Sequence, residues 1–341
     1  PQFVKAAVVS RALQKLGIEE KIIHTGQHFD ANMSEVFFTE MQIPKPEYNL
    51  DIHGVNHGAM TGRMLEKIEE IIIHEKPNVV LVYGDTNSTL AGALAAKKLH
   101  FPVAHVEAGL RSFNMQMPEE VNRILTDRIS SVLYAPTQQA KLNLSQEGYD
   151  NFETKIEVVG DVMLDAALFY AKQVETVDEK EDYLLCTLHR AENTDDLNRL
   201  TALVEGLNHI HQNTKVKLPL HPRTAAVLQK NGIELKVETI PPQGYLDMIR
   251  LLKSCKGVIT DSGGLQKEAF FFQKPCITMR DQTEWVELVD NGFNVLVGAD
   301  KQKLINEVKA ITDKTFDFGI PLYGEGNAGD KIATSLKNLF D

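Results

Sequence analysis

Three carboxylates in the first half of the chain sit where apolar runs end. Asp85 follows the run Asn78–Tyr83, Glu107 follows Phe101–Val106, and Glu119 stands behind Pro118 at the start of a helical pattern. A carboxylate held against a carbon-bound hydrogen can remove or return a proton, and carboxylates in different environments can divide those tasks. Each acid also has a plainer reading. Asp85 could cap a helix, and Glu119 would suit the positive end of a helix dipole. Glu107 is harder to assign to structure alone, because an acid at the end of a buried strand is costly unless paired or used. Arg111, four residues on, is the cation expected to pair with it. Together the three acids point to proton transfer to and from carbon.

The second half offers cations. His189-Arg190 with Glu192, His221 with Arg223, and Arg280 with Glu284 all follow apolar runs. A lone histidine is more often structural, but this grouping fits a diphosphate leaving group. Between these groups lies Asp261-Ser262-Gly263-Gly264, with the apolar run Gly257–Thr260 before it and helical spacing from Leu265 to Phe272. Strand, glycine turn and helix in that order leave free N–H groups and a partial positive charge at the helix start, where a phosphate can sit. Gly263 and Gly264 let the backbone approach closely. Glu268, about a turn and a half into the helix, is in reach of ribose hydroxyls. The plainer reading is a Ser262 helix cap. The sequence contains no HExxH, CxxC, Walker A or GxGxxG pattern, so neither a metal nor a dinucleotide cofactor is expected. A nucleotide-diphosphate sugar would use both halves: acids near C2 and a stabilised leaving group at C1 permit elimination and re-addition.

The elements that must position these residues read as alternating strands and helices. Apolar runs near 21–25, 78–83, 101–106, 132–136, 156–159, 183–187, 215–220, 237–240, 257–260 and 276–279 are separated by helical patterns. Such alternation predicts α/β architecture with parallel sheets. Helices are expected at 34–41, 58–75, 89–99, 137–147, 163–179, 198–212, 245–254 and 330–340. The charged segment 175–182 suggests a boundary nearby. We expect domains at 1–165 and 166–329, with the helix at 330–341 packing back on the first. A strand is expected ahead of the first helix, so the first strand is taken to be missing from this numbering. Ligands of open parallel sheets bind at strand C-termini, which places the expected site in a cleft between the domains.

Composition narrows the partners. At 341 residues, with 43% hydrophobic and 24% charged residues, the chain reads as an ordinary globular protein of two domains. Its net charge of −11 argues against nucleic acid or an anionic membrane surface as partner. An anionic substrate must then be met by local cations. Cys186, Cys255 and Cys276 are odd in number and lie in or beside apolar runs, the pattern of buried reduced thiols in a cytoplasmic protein. No apolar run approaches the length of a membrane span.

Seven segments in order resemble the non-hydrolysing UDP-N-acetylglucosamine 2-epimerase family. They are Gly26-Gln27-His28, Gly84-Asp85-Thr86, the run His105 to Arg111, Pro118 to Arg123, His189 to Glu192, Asp261 to Gly264, and Arg280 to Glu284. The resemblance implies two Rossmann-like domains in the GT-B arrangement, C2 inversion through loss and re-addition of UDP, no cofactor or metal, and a homodimer. By matching motif, Asp85, Glu107, Glu119 and His189 correspond to catalytic residues. Lys5, Arg111, Arg123, Arg190, Glu192, Ser262, Gly263, Gly264, Glu268, Arg280 and Glu284 correspond to substrate- or UDP-binding positions. Gln27, His28, Arg63 and His221 match a second, activating UDP-sugar site of some members. Two departures stand out. The family's Gly-x-Arg before the position of Pro1 is not in this sequence, and Trp285-Val286 replaces a usual Arg-Pro. With Phe29 to Phe37 and Met117-Pro118-Glu119-Glu120, the latter resembles the branch acting on UDP-2,3-diacetamido-2,3-dideoxy-glucuronate, which serves surface polysaccharide synthesis. Substrate identity is therefore expected to show through Trp285. The alternatives left open are a hydrolysing epimerase, a GT-B glycosyltransferase and a nucleotide-sugar sensing module.

Overall fold

The computed structural model describes residues 2–27, 45–174, 182–312 and 314–340. The chain divides into two compact units, Pro1–Ala166 with Pro321–Asp341, and Ala167–Ile320. Both are built on parallel sheets with helices packed against them, an α/β fold.

In the first unit, among the described residues, β1 (Ile23–His24) pairs only with β2 (Tyr48–Asn49) in a two-stranded parallel sheet. A four-stranded parallel sheet follows in the order β3 (Val80–Tyr83), β4 (Val103–Val106), β5 (Val132–Ala135) and β6 (Lys155–Val158). β4 and β5 are buried along their whole length, which is why they read as apolar runs rather than alternating ones, broken only by His105 in β4. One group of core residues joins Val9 and Leu13 of the helix Gln2–Lys15 with Val106, Tyr134, Ile332 and Leu336. Another joins Met64, Ile68 and Ile72 with Val82, Ala91 and Ala95. The small side chains of the helix Asn87–Lys98 let that helix lie close to its neighbours. The helix Ala328–Phe340 belongs to this unit: Ser335 receives the Tyr134 hydroxyl at 3.0 Å.

Six parallel strands form the sheet of the second unit: β7 (Tyr183–Thr187), β8 (Lys215–Pro219), β9 (Glu238–Ile240), β10 (Gly257–Thr260), β11 (Cys276–Thr278) and β12 (Asn294–Leu296). Their spatial order is β12-β11-β10-β7-β8-β9. The chain runs outward from β7 to β9, returns to β10 beside β7, and runs outward the other way. In such sheets the ligand crevice lies outside the carboxyl ends of the strands where the order reverses, here β7 and β10. The core is aliphatic, with Cys186, Leu203, Leu207, Val216, Ile259, Ile277 and Leu304 among its members. All three cysteines are free and buried, and burial pushes the Cys276 thiol up to about 12.

Several elements differ from expectation. The strand expected over 21–25 is only Ile23–His24. The helices Pro222–Asn231 and Lys301–Thr312 and the strand β12 were not expected. The expected helix at 34–41 lies outside the described residues, as does the later part of the one at 163–179, which is seen as Val162–Ala171. Among the described residues no helix is long and apolar enough to cross a membrane, and no group of three or more His, Cys, Asp or Glu could hold a metal ion.

Candidate functional site

Asp85 leaves β3 in the turn before the helix Asn87–Lys98. It does not cap that helix. Thr86 does, exchanging hydrogen bonds with Thr89 in a capping box. The Asp85 carboxylate instead meets the guanidinium of Arg123, which also donates to Glu120 Oε2 at 2.6 Å. Glu120 is fully buried and accepts the backbone N–H groups of Ser112 and Phe113, the latter at 2.8 Å. Burial alone would raise its pKa, but those N–H groups and the Arg123 charge hold it below the usual carboxylate range. Glu120 therefore anchors the 112–113 loop, a role the sequence reading missed.

Glu107 stands at the exit of β4 with φ of 73°, in the left-handed region that side chains other than glycine rarely adopt. Its N–H and that of Ala108 both donate to the Tyr134 carbonyl at 3.1 Å, which pins the unusual conformation. Its carboxylate pairs with Lys5. Glu119 lies exposed in the first turn of the helix Pro118–Ile129, and among the described residues its carboxylate has no ion-pair partner.

Arg111 does not pair with Glu107. It is 3% exposed and donates to Glu147 at 2.6 and 2.8 Å, to Asp127 at 2.7 Å and to the Leu110 carbonyl at 2.7 Å. Asp127 is buried, whereas Glu147 is exposed. Arg123 likewise pairs with two carboxylates, Asp85 and Glu120. Both pairings have one cause. The buried acids Glu120 and Asp127 lie within these elements, and a buried carboxylate takes the nearest guanidinium.

In the second unit, the carboxyl ends of β7 and β10 carry His189-Arg190 and Asp261-Ser262. Asp261, fully buried, accepts the N–H groups of His189 and Arg190, each at 2.9 Å, and so ties the two strand exits together. Burial lowers the His189 pKa, the Asp261 charge opposes that, and Arg190 and His221 lower it further. Ser262 occupies the N-cap position of the helix Gly263–Phe271 but makes no side-chain cap hydrogen bond. The helix start thus keeps its N–H groups free of a side-chain cap. A Cβ on Gly263 would collide with the Glu284 carboxylate and come within 3.5 Å of the Arg190 guanidinium. A Cβ on Gly264 would meet open space. Arg280, almost fully buried, holds Glu284 at 3.0 Å. Glu192 is exposed and 3.4 Å from Arg199, and Glu268 is partly buried in the helix itself.

Trp285 differs from expectation. It is 4% exposed, its indole N–H donates to the Gly263 carbonyl at 2.9 Å, and the Lys267 ammonium lies 4.0 Å from its ring centroid. It braces the glycine turn from behind instead of presenting a surface to a substrate. Of the residues matched to a second site, Gln27 accepts from Ser88 at 2.9 Å in the first unit and Arg63 is exposed there. His221 belongs to the second unit, its ring centroid 6.2 Å from that of His189, and caps the helix Pro222–Asn231. His28 lies outside the described residues.

The family model described as UDP-N-acetylglucosamine 2-epimerase matches residues 11–337. The chain belongs to the UDP-N-acetylglucosamine 2-epimerase family. It is 58% identical to a UDP-2,3-diacetamido-2,3-dideoxy-D-glucuronate 2-epimerase of Pseudomonas aeruginosa, over 99% of this chain and 97% of the relative. It is similar to the crystal structure of a Methanocaldococcus jannaschii UDP-GlcNAc 2-epimerase in complex with UDP-GlcNAc and UDP, at 45% identity and a TM-score of 0.91, covering 99% and 97% of the two chains. The Neisseria meningitidis UDP-GlcNAc 2-epimerase bound to UDP-GlcNAc gives 29% and 0.89, covering 99% and 97%. The epimerase is thus an isomerase, and these two solved relatives share its fold.

Proposed function

We propose that the enzyme inverts C2 of UDP-2,3-diacetamido-2,3-dideoxy-glucuronate to give the manno epimer. The C2–H bond breaks as a carboxylate takes the proton, and the C1–O bond breaks as UDP leaves with its electron pair. The resulting glycal is reprotonated at C2 on the opposite face, and UDP adds back at C1. Glu119 and Asp85 exchange the proton, with Glu107 as their partner. UDP is held at Ser262, Gly263 and Gly264, with Arg190 and His189 on its diphosphate and Glu268 on its ribose.

The observation that carries this reading is the helix start at Gly263, which lacks a side-chain cap and has the Arg190 guanidinium beside it. Such a start binds a diphosphate through N–H groups and dipole, and a bound diphosphate is a good leaving group. Family membership supports the C2 chemistry, and the 58% identity to the Pseudomonas relative supports the diacetamido-glucuronate. A cytoplasmic homodimer belongs to the same reading. The three buried free thiols fit a reducing compartment, and sedimentation would read the dimer directly.

The test is to incubate the enzyme in deuterium oxide with this UDP sugar and, separately, with UDP-N-acetylglucosamine. NMR should find the manno product labelled at C2, faster with the first substrate. Unlabelled product would sink the proton-transfer mechanism. Free UDP accumulating with turnover would favour a hydrolysing enzyme instead.

A further inference from the structure

The first unit contains a buried polar array that the proposed chemistry leaves unused. His105 of β4 and Asp127 of the helix Pro118–Ile129 are both fully buried. The imidazole Nε2 lies 2.7 Å from the Gly84 carbonyl, and Nδ1 lies 2.7 Å from Asp127 Oδ1. The other oxygen, Oδ2, accepts from Arg111 at 2.7 Å and from the Gly109 N–H at 3.1 Å. Arg111 continues to Glu147.

A carbonyl can only accept, so Nε2 carries a hydrogen and donates to Gly84. Asp127 Oδ1 and Nδ1 share a second hydrogen, while Oδ2 accepts from Arg111 and Gly109, so every polar atom of the buried pair is used. Burying charges is expensive even when they are paired, and apolar residues could fill the same volume without that cost. What the charges add is direction. Gly84 precedes Asp85 in the chain. Glu107 follows His105 by two residues, and Glu119 shares a helix with Asp127. One array therefore grips all three segments that carry the acids.

We propose that His105 is a positioning residue for the C2 proton transfer. It fixes the Gly84 carbonyl, and with it Asp85, against the Glu107 exit and the helix that carries Glu119. This rests on the epimerase reading above. Displacing a reacting group by about an ångström costs on the order of 100-fold in rate, which sets the size of the expected effect.

The test uses His105→Asn, His105→Gln, His105→Phe and Asp127→Asn in the full chain. Folded sites are counted by UDP calorimetry, since the proposed UDP residues lie in the other unit. The kcat per site for C2 epimerisation is expected to fall on the order of 100-fold in His105→Phe, with KM and UDP affinity kept to within about threefold. His105→Asn retains one donor and is expected to lose less than His105→Phe at equal thermal stability. Lowered melting temperatures with unchanged kcat per site would overturn the proposal, because the array would then serve folding alone. Four variants that all fail to fold would overturn it in the same sense. Absence of C2 exchange in the unaltered enzyme would instead remove the epimerase reading, so the two failures are distinguishable.

Discussion

At the scale of single residues, the acids of the first unit differ in how firmly they are held. Asp85 and Glu107 each face a cation, whereas Glu119 has none among the described residues. Removing a general acid or base costs about 100- to 10,000-fold. Asp85→Asn and Glu119→Gln are expected to lose turnover within that range while binding UDP as before, measured by C2 deuterium exchange beside calorimetry. Retained turnover would return the acids to structural roles. His189 permits a second prediction. Its pKa is lowered in the free enzyme by burial, with Arg190 and His221 adding to the effect. A bound diphosphate would raise it again. Binding therefore takes up as much as about one proton, and UDP affinity falls as pH rises through the interval between the free and bound values. Calorimetry in buffers of different ionisation enthalpy reads that proton directly, and His189→Asn should abolish it. The stability sign runs the other way. A lowered folded pKa means the unfolded chain binds more protons, so this contribution is lost as pH falls through the ordinary histidine range. Legibility also varied by residue. The Glu120–Arg123 pair has helical i, i+3 spacing and could have been found. The partners of Arg111 and His105 lie 16 to 36 residues away and could not.

At the scale of elements, the glycine turn after β10 gives two substitutions with different outcomes. Gly263→Ala drives a Cβ into the Glu284 carboxylate, which is the movable end of a side chain. The fold should survive, but the Arg280–Glu284 pair shifts and UDP affinity falls. Gly264→Ala meets nothing in the free protein. It should leave stability unchanged or raised by up to about 1 kcal/mol, yet weaken UDP if the phosphate uses that space. UDP affinity unchanged from that of the unaltered enzyme in both variants would count against the cradle. Among the described residues β3 pairs with β4 alone, and a cavity of about 620 Å³ in the first unit is lined by Ile23, Tyr48, Val80, Val82 and Tyr83. None of the three acids lines that cavity, so its size does not mark it as the site. The longer strands were readable because parallel strands buried on both faces are unbroken apolar runs. β12 was not, since Asn294 opens a run of only three residues whose burial depends on β11. The helix Lys301–Thr312 carried a readable stripe, Leu304, Ile305, Val308 and Ile311, that went unused.

At the scale of the whole molecule, the net charge of −11 opposes an anionic substrate, so the proposed binding depends on local features of the second unit. The strand reversal at β7 and β10 concentrates those features, while the acids are carried by the first unit. In the proposed mechanism this division separates bond breaking at C1 from proton transfer at C2, and it leads to a direct isotopic expectation. If UDP truly departs and returns, its terminal phosphate can rotate while bound. An ¹⁸O placed in the sugar–phosphate bridge should then scramble into the non-bridging β-phosphate oxygens during turnover, read by ³¹P NMR. Scrambling should keep pace with C2 deuterium exchange in the unaltered enzyme. Arg190→Ala should slow it, because a charged hydrogen bond to the leaving group contributes about 1.5–3 kcal/mol. Glu119→Gln should suppress it as well, because loss of the C2 proton supplies the electron pair that expels UDP. Deuterium exchange without scrambling would mean that C1–O stays intact, and the elimination pathway would have to be given up in favour of simple carbanion inversion at C2.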